Sequence, residues 1–162
     1  MVVTILIVWM SMKKLELKFP PLVVTSAFAL IIWMMPNPYR INGISLLIVV
    51  SVLLLIVGIA VASLGVLEFR KKLTTVNRMS RQDCNDLVVK GIYKYTRNPM
   101  YLGFLLWLLS LGLYLANPIS LAPIVIFIIY MNHFQIVPKE NILKEKFGKD
   151  YLDYIKNVRR WI

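Results

Sequence analysis

Arg97-Asn98-Pro99 leads into Met100-Tyr101-Leu102-Gly103 and then into an uncharged apolar run that reaches Ala116. A guanidinium, an amide and several phenols therefore stand where a polar, basic segment turns abruptly apolar. Asn98 is a favoured N-cap, able to accept from the free amides of a first turn, and Pro99 fits a position whose N–H has no partner. A helix is expected to start here, with unpaired N–H groups that carry partial positive charge. With Arg97 and the phenols of Tyr93, Tyr95 and Tyr101 at its mouth, the place suits a polar, anionic ligand held at a membrane surface. A second set of chemically able groups lies near the C-terminus. Glu140, Leu143, Phe147, Tyr151, Tyr154 and Val158 recur at helical spacing and form one stripe, while Lys144, Glu145, Lys149, Asp150, Asp153 and Lys156 fill the other face. A carboxylate and two tyrosines on the buried side of an amphipathic helix suggest that it closes a polar cavity. Metal and redox chemistry are not signalled. The single Cys84 excludes an internal disulfide, and the single His133 makes no histidine-based metal site.

The elements that must position these groups are membrane helices. The chain has 162 residues, 59% of them apolar, and a mean hydropathy of +0.69, too apolar for an ordinary soluble domain. Residues 1–21 read as an interfacial lead-in, in which Met1 to Met12 lacks both the basic start and the small-residue cleavage pattern of a signal peptide. Residues 22–67 hold two expected transmembrane helices. The first, Leu22 to Met35, is short; Pro36 to Gly43 turns on the outer side with Trp33 and Tyr39 at interface depth; the second is Ile44 to Leu67. Ser51, Gly58, Ala62 and Gly65 on the second would let another helix approach closely. Residues 68–99 form a cytosolic connecting segment. Residues 100–137 form a helical hairpin, Met100 to Ala116 and Leu121 to Val137, broken by Asn117-Pro118. Asn132, His133 and Gln135 are expensive in lipid, so they mark either a site or the point where the last turn reaches the headgroups. Pro138 is expected to end that run, and residues 138–162 hold the C-terminal amphipathic helix.

A net charge of +11 first raises nucleic acid as a partner. Of the 19 Lys and Arg residues, however, all but Arg40 lie before the first span, between Arg70 and Arg97, or after Val137. With an even number of spans they all face one side, as the positive-inside rule requires. The charge is then topology plus attraction to anionic lipid headgroups, each basic side chain adding about 1 kcal/mol. No nucleic-acid recognition motif accompanies it. Both termini are expected in the cytosol.

Several motifs keep fixed company: Leu87-Val-Val-Lys-Gly-Ile-Tyr93, Arg97 through Gly103, Asn117-Pro118, Glu140-x-x-Leu143, Phe147-Gly148, Tyr151, Tyr154 and Val158-Arg-Arg-Trp161. Together they resemble the isoprenylcysteine carboxyl methyltransferase family and its bacterial and phospholipid methyltransferase relatives, over roughly Thr74 to the end. The chain departs from that pattern at two points. A histidine often follows the motif arginine where this chain has Asn98, the Asn-Pro pair being similar to bacterial members, and Lys139-Glu140 stands where two adjacent acids are usual.

The resemblance implies transfer of a methyl group from S-adenosyl-L-methionine to a lipophilic acceptor that enters from the bilayer. It also implies an all-α integral membrane protein, of a bacterial-type inner membrane, with about four transmembrane helices and a C-terminal helix closing a cytosol-facing cofactor cavity. A sulfonium is already an activated donor, so the protein must chiefly align it and exclude water. On this resemblance Glu140 pairs with the cofactor's ammonium, and Arg97 holds a carboxylate, the acceptor's or the cofactor's, through a bidentate fork. Tyr101, Tyr151 and Tyr154 stack on adenine or embrace the sulfonium. His133 and Asn98 bond the nucleoside or methionine end, and the amides of Gly91, Ile92 and Tyr93 add contacts. Each has a plainer reading beside it: Arg97 as a headgroup anchor, the tyrosines as an interface belt, Glu140 as a first-turn acid favoured by the helix dipole. Two other functions stand as alternatives, a nicotinamide-dependent reductase of the related superfamily branch and a non-catalytic membrane protein. Small residues on the second span allow helix pairing without requiring an oligomer.

Overall fold

The computed structural model describes residues 19–37, 44–78 and 87–162. The lead-in of residues 1–18, Tyr39 and Arg40 of the outer turn, and Cys84 lie outside the described residues. Those that are described form helices α1 (Pro21–Met34), α2 (Ile44–Arg78), α3 (Pro99–Tyr114), α4 (Leu121–Met131) and α5 (Val137–Asn157). Short 3-10 turns at Gly91–Lys94 and Pro118–Ser120 precede α3 and α4, and a π-helical turn, Asn132–Ile136, joins α4 to α5. The expected all-helical fold is thus what the described residues adopt.

Proline sets most of the starts. Pro21, Pro99 and Pro118 each sit in the first turn of their element, where a missing N–H leaves no acceptor unserved. Pro138 ends the apolar run, with Lys139 and Glu140 next, but does not break the helix. The helix passes through the π-helical turn and continues as α5. Likewise α2 does not stop at Leu67 but runs to Arg78, since no glycine or proline interrupts residues 68–78.

The small residues of α2 face α3, and these two helices make the most extensive contact in the protein. A Cβ at Gly103 would lie 2.6 Å from the Gly58 carbonyl oxygen, and one at Gly58 would lie 2.7 Å from the Trp107 ring. The backbones touch because neither position carries a side chain. The Ser110 hydroxyl donates to the Ser51 carbonyl at 2.7 Å lower in the same seam. On the other flank of α3, Ile32, Phe104, Leu108, Phe127 and Met131 form a core shared by α1, α3 and α4, and Phe28 meets Phe127 edge-on at 5.5 Å.

What faces outward is also apolar. Within Leu46–Lys71 the most apolar 18 residues have a mean hydropathy of 3.1, yet only 17% of them are buried. Leu46, Leu53, Ile56 and Leu64 of α2, with Val125, Ile126 and Ile129 of α4, form an exposed apolar belt. Water does not tolerate so large a surface of this kind, whereas hydrocarbon does. This is a membrane protein. Among the described residues, Leu46–Lys71 and Pro118–Asn157 are long and apolar enough to cross a bilayer. α1 and α3, with 14 and 16 residues, fall short of the roughly 20 that a perpendicular span needs.

The α5 stripe is buried as its spacing predicts. Glu140, Tyr151 and Val158 are buried, Leu143, Phe147 and Tyr154 are half-buried, and the six charged residues of the opposite face are exposed. A kink at Gly148 (φ 50, ψ −119) divides the helix. Glycine adopts that conformation without the Cβ penalty other residues would meet. At Val158 the backbone becomes extended, and residues 158–162 turn back across the start of α3.

Candidate active site

The first turns of α3 and α5 converge on one buried carboxylate. Glu140, 6% exposed, accepts a two-pronged hydrogen bond from Arg160, Nε to Oε1 at 3.1 Å and Nη2 to Oε2 at 2.7 Å. Arg97 approaches from the other side, Nη1 lying 3.3 Å from Oε1. Two guanidinium groups thus share one carboxylate and leave a surplus positive charge. Arg97 Nε is buried and has no hydrogen-bond partner.

Main-chain bonds hold the C-terminal tail against this cluster. The Arg97 amide donates to the Arg159 carbonyl at 3.1 Å, Asn98 Nδ2 donates to the Arg160 carbonyl at 3.0 Å, and Trp161 Nε1 donates to Asn132 Oδ1 at 3.0 Å. Asn98 does occupy the N-cap position of α3, but its side chain does not cap the helix. The tail carbonyl engages its amide instead, and the Asn98 main-chain N–H turns to the Thr96 hydroxyl at 3.2 Å. Gln135 is buried and ties the π-helical turn to α1 through the Phe19 carbonyl at 3.1 Å.

The tyrosines form a second layer. Tyr154 donates its hydroxyl to the Tyr93 carbonyl at 2.7 Å, and Tyr93 donates more weakly to the Gly65 carbonyl at 3.4 Å. Tyr151 lies 6.1 Å from Tyr154, ring to ring. Burial raises the phenol pKa of all three; for Tyr93 the neighbouring Tyr101 adds to it, and for Tyr151 the Glu140 charge does, opposed by Arg97 and Arg160. For Tyr154 burial far outweighs the opposing Arg97 charge, and the phenol stays protonated well beyond the ordinary tyrosine range. Arg160 is held more firmly charged by its hydrogen bonds to Glu140 than burial can offset.

Beside the cluster lies a cavity of about 260 Å³ lined by Pro21, Phe69, Tyr93, Arg97, Asn98, Pro99, Met100, Tyr101 and Lys139. Arg97 faces it. Glu140 is not among the described lining residues and stands behind Arg97. Lys139 reaches over the Tyr101 ring, its Nζ 5.8 Å from the centroid. A larger apolar groove of about 590 Å³, lined by Ile59, Ala62, Ser63, Val66, Leu67, Met100, Phe104 and Trp107, runs along α2 and α3. Met100 lines both.

Of the residues singled out in the sequence, Arg97, Asn98, Tyr93 and Tyr101 come together on the cavity, and Glu140, Tyr151 and Tyr154 support it from behind. Ile92 is half-buried beside them, and Gly91, exposed at φ 62, packs against Glu68. His133 is exposed, edge-on to Phe134 at 4.8 Å, and is not among the residues lining the cavity. Arg160, Phe69 and Pro21 were not foreseen as site residues. A lone buried carboxylate in a basic chain is the signal that would have led to Arg160. Among the described residues no cluster of His, Cys, Asp and Glu could hold a metal ion.

The model of the phospholipid methyltransferase family matches residues 46–150. The chain belongs to this family. Its relatives include isoprenylcysteine methyltransferases, as the motifs around Arg97 and Glu140 imply. A probable protein-S-isoprenylcysteine O-methyltransferase of Oryza sativa is 28% identical over 109 residues, 67% of this chain and 57% of the relative. The protein-S-isoprenylcysteine O-methyltransferase of Saccharomyces cerevisiae is 31% identical over 113 residues, 68% of this chain and 46% of the relative. An uncharacterized protein of Haemophilus influenzae is 44% identical over 63 residues, which is 39% of this chain and 100% of that protein. The chain spans about half the length of the isoprenylcysteine methyltransferases it matches. No solved structure matches it. The family match ends at residue 150, before the tail that supplies Arg160.

Proposed function

We propose that this protein is an S-adenosylmethionine-dependent methyltransferase, embedded in the membrane by four spans, that acts on a lipophilic acceptor. The observation that carries the reading is a cation-lined cavity at the mouth of α3 that shares a wall residue with a groove open to lipid. The relatives are protein-S-isoprenylcysteine O-methyltransferases by name, and an isoprenylcysteine is one acceptor of this kind.

The residues present fit the cofactor. Arg97 offers a guanidinium whose Nε is buried and unpartnered, the donor a carboxylate needs. Tyr93 and Tyr101 line the same cavity, and the Tyr101 ring already faces a cation in Lys139, 5.8 Å from its centroid. At about 260 Å³ the cavity lies just below the roughly 300–1,000 Å³ of typical ligand pockets, enough for the amino-acid arm. S-adenosylmethionine, when bound, supplies a methyl group already activated as a sulfonium. The chain's own work is then placement and dryness. Arg97 anchors a carboxylate, Asn98 holds the tail closed, Tyr154 fixes the Tyr93 backbone, and Met100 separates the polar end from the apolar groove. An acceptor's hydrocarbon chain lying in that groove brings its polar end to Met100, next to the cavity.

Calorimetry with S-adenosylhomocysteine on the detergent-purified protein tests this. Wild type is expected to bind, and Arg97→Ala to bind at least tenfold more weakly, the scale of a lost charge-assisted hydrogen bond. A folded wild type that does not bind overturns the reading. Two cations on one cavity, Arg97 and Lys139, also suit the phosphates of a nicotinamide cofactor, so binding of NADPH in its place would move the protein to the reductase alternative.

A further inference from the structure

We propose that Arg160 is a positioning residue: by taking hold of Glu140 it leaves the Arg97 guanidinium free to bind a ligand carboxylate in the cavity. The inference rests on the methyltransferase reading and assigns the cofactor's carboxylate to Arg97. It also gives Glu140 a supporting role in place of direct contact with the cofactor's ammonium.

The geometry of the cluster leads there. Both oxygens of Glu140 are hydrogen-bonded by Arg160, whereas Arg97 makes a single ion-pair approach of 3.3 Å to it and one side-chain hydrogen bond to Tyr151. Arg97, not Glu140, lines the cavity, and its buried Nε has no partner. A carboxylate as buried as Glu140 cannot be left unpaired without heavy cost. Without the Arg160 side chain, Arg97 becomes the nearest cation, and its planar fork is drawn onto Glu140 and away from the cavity. The local charge also falls from a surplus of one to zero. The tail need not move in such a variant, because it is held by the carbonyls of Arg159 and Arg160 and by the Trp161 indole.

The test compares two ligands on three proteins, each checked for unaltered thermal unfolding in detergent. S-adenosylhomocysteine carries the carboxylate; its decarboxylated analogue keeps the ammonium and the nucleoside. Arg160→Gln is expected to weaken S-adenosylhomocysteine about tenfold and to leave the analogue's affinity unchanged. Arg160→Lys, which keeps the charge but not the planar fork, is expected to fall between wild type and Arg160→Gln. Equal weakening of both ligands would mean that Arg160 merely maintains the fold, and no weakening of either would mean that Arg97 needs no support; each overturns the inference while wild-type binding keeps the methyltransferase reading. Failure of wild type to bind either ligand overturns both.

Discussion

At the scale of single residues, Glu140 decides most. It is the one acid on the α5 stripe, and it neutralises charge on two arginines from different parts of the chain. Glu140→Gln leaves Arg97 without its counter-ion and removes the charge from the Arg160 fork. Since Arg160 is about a third exposed, the expected loss is about 1–3 kcal/mol of stability, read as a lower unfolding midpoint in detergent. Tyr154 makes a prediction in pH. Its phenol pKa is raised above the ordinary 10.0 by burial, so the folded state keeps a proton that the unfolded chain releases above that value. The contribution is therefore constant below about pH 10 and declines as pH rises further, toward the raised folded pKa. Tyr154→Phe should lower stability at neutral pH by about 1 kcal/mol and flatten the decline above pH 10. An identical alkaline decline in both proteins would show that the phenol does not drive it.

At the scale of elements, the α2–α3 seam and the kink in α5 rest on glycine for different reasons. Gly103→Val places methyls against the Gly58 carbonyl and Ala62, and overpacking of this kind costs about 1–3 kcal/mol. Gly148→Ala meets nothing within 4 Å, so only the left-handed backbone resists it, at roughly 1–2 kcal/mol. The seam variant should also disturb the site, since α3 carries Tyr101 at its start. The groove makes a sharper prediction. Ser63 is exposed on its wall, and Ser63→Phe should fill it without entering the helix seam. Affinity for S-adenosylhomocysteine should stay, while kcat/KM for a long-chain acceptor falls; unchanged turnover of such an acceptor would place its chain elsewhere.

At the scale of the whole molecule, topology is the property to measure. Four spans place Pro118 outside and Lys149 in the cytosol. If only the two longest helices crossed the membrane while the basic segment of residues 70–97 stayed cytosolic, the two positions would exchange sides. In a Cys84→Ser background, Pro118→Cys should react with an impermeant thiol reagent added to intact cells, and Lys149→Cys only after permeabilisation. The reverse pattern would show that α1 and α3 do not cross. The distribution of Lys and Arg supports the first outcome.

Sequence periodicity and local chemistry were enough for the helices, the proline starts at Pro21 and Pro99, the small-residue seam and the buried stripe of α5, because each depends on neighbours within a turn or two. The family was legible too, in motifs of fixed spacing such as Arg97-Asn-Pro-Met-Tyr-Leu-Gly103. What local reasoning could not supply was partnership. Asn98 looked like a helix cap because a cap needs only its own helix, but a tail carbonyl 62 residues away competes for its side chain and wins. Glu140 reads as a ligand group because it is the one carboxylate on the buried stripe, yet Arg160 and Arg97 claim it. Pro138 looked like a break because its missing N–H is local, while the wider turn before it lets the helix continue. The sequence by itself singled out Arg97, Asn98, Tyr93, Tyr101 and Glu140 as candidates, because their motifs and spacing are local. Only the tertiary structure decided that Arg97 faces the cavity and Glu140 stands behind it, because a buried charge takes its partners from the nearest elements in space.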